Sequence, residues 1–195
     1  MGRSASVKRT TKETEIELTL ELDGSGKAEL DTPSGFFSHM LEALAKHSGF
    51  DLSCKVKGDI EVDLHHTVED TGLVLGQALL EALGAKRGIE RFGQAVVPLD
   101  DALVMAVVDL SGRAYYASDL SYPQERAGEF PCVLAEEFFR AFASEGKFNL
   151  HLVGIRGKES HHVLEAAFKA LARALKAACK LSETSDEIPS TKGVL

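Results

Sequence analysis

HHTVEDTGLVLGQALLEAL (residues 65–83) and HHVLEAAFKALARALKAAC (residues 161–179) can be laid on one another across 96 residues of chain, 161 − 65 = 96. Each opens on two adjacent histidines. Each places a glutamate three residues after the second one (Glu69, Glu165) and then runs on in Leu, Val and Ala at helical spacing. Four of the seven histidines lie in these two spots, so chance similarity between two helices is a poor account of them. Internal duplication is the economical one.

The flanking sequence repeats in the same order. Ile16, Leu18, Leu20 and Leu22 alternate with Glu15, Glu17, Thr19 and Glu21, the period of two of a half-buried strand. Asp23-Gly24-Ser25-Gly26 reads as a turn, with Lys27 to Asp31 returning as the second strand of an opening hairpin. Gly35 to His47 has helical spacing, and Gly49 stops it. Asp51 to Asp63 alternates again before the helix over 67–83. In the second half, residues 95–97 and 103–110 are strand-like and 113–120 look extended. Residues 132–143 form an amphipathic helix, 149–155 a strand and 163–180 an alanine-rich helix. The expectation is an α+β fold of two similar lobes, residues 1–90 and 91–181, in which helices cover one face of a sheet. Residues 182–195 are polar, with Pro189 and Gly193, and are expected to form a tail that is disordered by composition.

At 195 residues and 44% hydrophobic content the chain can bury a core. A net charge of −8 with scattered basic residues argues against nucleic-acid binding, which needs clustered Lys and Arg. Expected partners are small molecules or copies of the chain. Cys54, Cys132 and Cys179 are too few and too far apart for a disulfide framework. Residues 1–14 are polar and basic, unlike a secretory signal, and no run is apolar enough to cross a bilayer. A cytoplasmic protein is expected.

Imidazoles with carboxylates suit borderline divalent metals such as Mn, Fe, Co or Zn. On a helix Glu69 can sit beside His65 or His66, but adjacent histidines point about 100° apart. Each pair therefore serves two different ions, and the same holds for His161, His162 and Glu165. Adding His39 and His151 gives six histidines and two glutamates. Divided evenly, that is three His and one Glu per ion, with positions left open for substrate. His47 has no partner in this scheme and is either a surface residue or a substrate contact.

The chain closely resembles the imidazoleglycerol-phosphate dehydratase family. The resemblance is carried by RTTKET (9–14), FFSHMLEALAKHSGFDL (36–52), DLHHTVEDTGLVLGQAL (63–79), GIERFG (88–93), PLDDAL (98–103), DLSGR (109–113), NLHL (149–152), SHHVLEAAFKALARAL (160–175) and STKGVL (190–195). Ala114 and Glu159 depart from residues common in the family, Pro and Asn, and neither is at a matched ligand position. No block suggests a fused phosphatase domain. The resemblance implies dehydration of imidazole glycerol phosphate to imidazole acetol phosphate in histidine biosynthesis, with two Mn²⁺ per active site. It implies metal ligation by His39, His65, His66, Glu69, His151, His161, His162 and Glu165. It also implies lobes that are each a four-stranded sheet with helices packed on one face, phosphate binding by Arg91, Arg113, Ser190 and Lys192, and trimers that build a 24-subunit shell with metals at subunit interfaces.

That reaction removes a hydroxyl beside the imidazole ring and a proton from the next carbon, with no carbonyl to acidify it. Held between two metals as imidazolate, the ring can expel the hydroxide and give a diazafulvene-like species in which the neighbouring C–H is acidic. Glu13 matches a family position proposed for the base; another carboxylate or a metal-bound hydroxide is the alternative. Phosphate would order the C-terminal tail as a lid over the arginines. Two other readings use the same ligands: a shell protein that sequesters metal, and a two-metal phosphate hydrolase. The first leaves Arg91, Arg113 and Lys192 without a task, and the second usually employs more carboxylates.

Overall fold

A computed structural model describes residues 2–183 and 185–195. The first half runs β1 (Ser4–Thr10), β2 (Thr14–Glu21), β3 (Ala28–Asp31), α1 (Gly35–Ser48), β4 (Asp51–Gly58) and α2 (His65–Leu83). The second runs β5 (Phe92–Leu99), β6 (Ala102–Asp109), β7 (Tyr115–Ser118), the small ribbon β8 (Arg126–Ala127) and β9 (Phe130–Pro131), α3 (Val133–Gly146), β10 (Asn149–Arg156) and α4 (Ser160–Cys179). The sheet orders are β1-β2-β4-β3 and β5-β6-β10-β7, the same path traced twice. In both, the outer pair (β3 with β4, β7 with β10) is parallel. The α+β class with two similar lobes is what the duplicated sequence implied.

Alternation explains how each sheet is seated. In β2, Ile16, Leu18 and Leu20 face the helices and are buried, whereas Glu15, Glu17 and Thr19 face outward. In β6, Ala102, Val104, Ala106 and Val108 face inward. Helix α2 lies on β1 and β2, and α4 on β5 and β6. The helix layers then meet, α2 against α3 and α1 against α4. One apolar core thus runs through both halves. Its centre is aromatic: the Phe138 ring lies 5.6 Å from Phe37 of α1 and 5.3 Å from Phe168 of α4. Burying such a side chain stabilises by about 1.5–3 kcal/mol. No helix among the described residues is long and apolar enough to cross a membrane.

Three local expectations need correction. The turn at Asp23–Gly26 does not return β3 onto β2. Asp51 Oδ1 accepts hydrogen bonds from the Ser25 and Lys27 amides at 2.7 and 2.9 Å, and the chain passes to the far side of β4, where Ala28 lies opposite Leu52. The opening hairpin is instead β1–β2, with Thr11 to Glu13 as its turn. Its first strand was hidden because Val7 is its one fully buried residue. Beyond Gly58 the alternating run continues in sequence but not in the sheet: Ile60 and Val62 lie in a loop, 53% and 67% exposed. The helices α2 and α4 begin earlier than expected, so both histidine pairs stand in their first turns.

The polar tail is anchored along its course. Ser182 and Gly88 amides donate to the Gly88 and Glu187 carbonyls at 2.7 and 2.9 Å. The Arg91 guanidinium donates to the Pro189 carbonyl at 2.9 Å, and Leu195 lies close against Gly112. Composition suggested disorder because it could not reveal these backbone partners.

Candidate metal centre

Two glycines let the histidine-bearing helices start tight against the strands before them. A Cβ on Gly58 would lie 2.1 Å from Thr67 Oγ1, and one on Gly157 would lie 2.3 Å from Val163 Cγ2. Thr67 and Val163 are themselves 96 residues apart, each directly after its histidine pair. A carboxylate two residues upstream fixes each first turn: Asp63 accepts from the His65 amide at 2.6 Å and Glu159 from the His161 amide at 3.1 Å. These side chains satisfy donors that a helix start leaves unpaired.

Within each pair the rings stand nearly perpendicular, 88° for His65 and His66 and 73° for His161 and His162. The glutamate pairs with the first histidine in both copies. His65 Nε2 lies 3.6 Å from Glu69 Oε2, and His161 Nε2 lies 3.3 Å from Glu165 Oε2.

Packing of α1 on α4 adds His39, whose Nε2 is 3.5 Å from the same Glu165 oxygen. His39, His161 and Glu165 thereby bring one ligand atom each within 4.8 Å of one another, the single such group of three among the described residues. Burial pushes the Glu165 carboxyl up, but Lys169, 2.7 Å from its other oxygen, and His39 outweigh this and hold it below the usual range. His39, Glu165 and Lys169 line an open cleft of about 420 Å³ together with His47, whose ring burial and nearby Lys169 and Arg173 push below the ordinary histidine value.

Among the described residues the other half brings up no third donor of this kind. Helix α3, which packs on α2, has Glu137 at its fifth position where α1 has His39, and Glu137 is held by Arg140 at 2.7 Å. His151 stands apart on the outer face of β10, exposed, with its ring 5.4 Å from Tyr115. A single chain therefore does not gather three histidines and a glutamate around each of two points.

The second histidine of each pair meets other carboxylates. His66 Nδ1 is 3.0 Å from Asp59, and its Nε2 faces Glu13 Oε1 at 3.9 Å. His162 Nδ1 is 2.6 Å from Asp101, and its Nε2 lies 3.3 Å from Glu159 and 3.7 Å from Asp100. The aspartate hydrogen bonds raise both imidazoles above the ordinary value, and Asp101 is held down at about 2 by His162 and the Lys158 amide. Sequence reasoning overlooked Asp59 and Asp101. Asp101 lies in the PLDDAL block, but nothing local ties it to a histidine 61 residues away.

Glu13 sits at the β1–β2 turn, exposed. That turn is tied to α2 through the buried Asp70, which accepts hydrogen bonds from the Thr14 hydroxyl and from Arg9. Among the expected phosphate contacts, Arg91 and Ser190 line one open cleft of about 620 Å³. Arg91 is paired with Asp109 at 2.7 Å. Arg113 is exposed on the turn beside Leu195, and Lys192 lies on the exposed tail, its amide bonded to Ser190 Oγ at 3.2 Å.

Comparison with known proteins agrees across the chain. Residues 32–175 match the family model described as imidazoleglycerol-phosphate dehydratase. The imidazoleglycerol-phosphate dehydratase of Gluconobacter oxydans is 56% identical over 100% of this chain and 98% of its own length, and that of Lacticaseibacillus casei is 51% identical over 99% and 100%. The crystal structure of the Staphylococcus aureus enzyme superposes with a TM-score of 0.84 at 36% identity, covering 92% of this chain and 99% of that one. The Pyrococcus furiosus enzyme, crystallised with (S)-C348, also gives 0.84, at 38% identity, over 97% and 100%. A duplicated α+β chain with twin histidine pairs, alike over its whole length to these enzymes, belongs to the imidazoleglycerol-phosphate dehydratase family.

Proposed function

We propose that this chain is a hydro-lyase of histidine biosynthesis that dehydrates imidazole glycerol phosphate to imidazole acetol phosphate, using two Mn²⁺ per active site. The reading is carried by one observation: His39, His161 and Glu165, drawn from both halves of a chain alike throughout to curated dehydratases, converge within 4.8 Å. Two imidazoles and a carboxylate are donors that Mn²⁺ accepts, so the residues fit the ion.

When bound, the metals supply Lewis acidity toward the substrate's imidazole ring. His39, His161 and Glu165 would hold one ion, and His65 with Glu69 would begin the other site, with His66, His162 and His151 as the remaining donors. His47 lines the cleft beside the first group and would position the substrate ring. Glu13 Oε1, beside His66, takes the proton from the carbon next to the one that loses hydroxide, and the resulting enol becomes the ketone. Arg91, Arg113, Ser190 and Lys192 would hold the phosphate, the arginines by bidentate hydrogen bonding.

The split donor set also supports a homo-oligomer with sites completed by neighbouring copies, a trimer-based 24-mer in this reading. The outer face of the second sheet is apolar: Phe92, Val96, Tyr115 and Ile155 are 60%, 52%, 56% and 49% exposed, and His151 stands among them. The outer face of the first sheet carries Glu15, Glu17, Lys55 and Lys57. Contiguous exposed apolar surface of this kind marks a protein interface. Three buried, unbridged cysteines are consistent with a reducing, cytoplasmic setting.

The test is an assay on imidazole glycerol phosphate after chelation and Mn²⁺ add-back. Metal-dependent formation of the acetol phosphate is expected. Release of inorganic phosphate would make the chain a hydrolase, and metal uptake without turnover a storage protein.

A further inference from the structure

We infer that Asp59 and Asp101 are positioning residues that hold His66 and His162 by Nδ1–H and so present each Nε2 as a metal donor. The inference rests on the metal reading above but concerns residues outside its ligand set. The Asp59 carboxylate lies 3.2 and 3.0 Å from His66 Nδ1 through its two oxygens, and Asp101 Oδ1 lies 2.6 Å from His162 Nδ1. An ionised carboxylate only accepts, so each Nδ1 carries the hydrogen, and in the neutral ring each Nε2 keeps its lone pair. Carboxylates that orient metal-binding imidazoles act in this way.

The duplication supplies a second argument. Asp59 comes from the loop between β4 and α2, whereas Asp101 comes from the turn between β5 and β6. These are not equivalent places. The equivalent of the Asp101 turn is the β1–β2 turn, which presents Glu13 to the Nε2 side of His66. The equivalent of the Asp59 loop ends at Glu159, on the Nε2 side of His162. The β5–β6 turn also brings Asp100 to 3.7 Å from His162 Nε2, but the carboxylate on Nδ1 comes from a different loop in each half, and both halves keep one. A contact inherited passively would come from the same place twice.

Asp59 is the cleaner probe, because among the described residues its carboxylate hydrogen-bonds to His66 alone, whereas Asp101 also accepts from the Lys158 and Glu159 amides. Metal-free protein would be titrated with Mn²⁺ by equilibrium dialysis, and the imidazole tautomers read by ¹⁵N NMR. Wild type should bind Mn²⁺ and show His66 and His162 as Nδ1–H tautomers. D59A should bind Mn²⁺ about 10- to 100-fold more weakly, the usual loss on removing such a partner, with His66 alone losing its tautomer preference. D101A should do the same at His162. Unchanged Mn²⁺ affinity and an unchanged tautomer in D59A would overturn the inference while leaving the metal reading intact. Absence of Mn²⁺ binding by wild type would instead overturn the metal reading and, with it, this one.

Discussion

Replacing Gly157 by alanine should loosen the start of α4 and weaken the metal centre together. The new Cβ would sit 2.3 Å from Val163 Cγ2, about 1.2 Å short of the roughly 3.5 Å at which carbon atoms settle. Val163 is 2% exposed, and a valine in a helix has one strongly preferred rotamer, so rotation offers little relief. The first turn of α4 must move instead, carrying His161 and His162. Overpacking of this kind costs about 1–3 kcal/mol. Urea unfolding of G157A, V163A and the double variant, at one protein concentration and without metal, measures it. Since V163A removes the atom that is struck, the double variant should lose less than the sum of the singles, with a coupling of about 1 kcal/mol or more. Additivity within about 0.5 kcal/mol would refute the clash as the cause.

His65→Ala and His161→Ala should each abolish turnover and lower bound metal; elemental analysis showing full metal alongside retained activity would reject both ligand assignments. In metal-free protein the Asp101 and His162 pair should stabilise most between about pH 4 and 6.5. The depressed carboxylate contributes above its ordinary value and loses this as pH falls toward about 2, while the raised imidazole contributes below about 6.5 and loses it as pH rises through its folded value. The stability gap between wild type and D101A should therefore peak in that window, and a gap that stays flat from pH 3 to 9 would count against the pair. Arg91→Ala removes the hydrogen bond to the Pro189 carbonyl and should speed carboxypeptidase trimming of the tail, with substrate analogue slowing it in wild type; identical cleavage in all cases would discount both the anchor and the lid. Val96→Arg places a charge on the apolar sheet face and should shrink the assembly seen by light scattering, whereas an unchanged mass would move the interface elsewhere.

The alternation in β2 and β6 was legible because one face of each strand is buried and the other is wet. Helices α2 and α4 were legible because their apolar stripes repeat with the histidines. What escaped were contacts that local pattern does not encode. The turn chemistry at Asp23–Gly26 was read correctly as a reversal, but the partner of β3 was chosen by Asp51, more than twenty residues onward. Strand β1 has too little buried surface to announce itself. The ligand residues were named from their repetition and from a family resemblance, yet the grouping of His39 with His161 and Glu165 depends on α1 lying against α4, which periodicity does not reveal. The carboxylates behind His66 and His162 were missed for the same reason.

The three-donor cluster straddles the seam between the duplicated halves, with His39 before it and His161 and Glu165 after it. An ancestor half as long could have assembled such a pocket only by pairing with its twin, and symmetry would have forced two identical pockets on the pair. Fusion into one polypeptide released that constraint. Glu137 at the fifth position of α3, where α1 carries His39, records the freedom of each half to diverge.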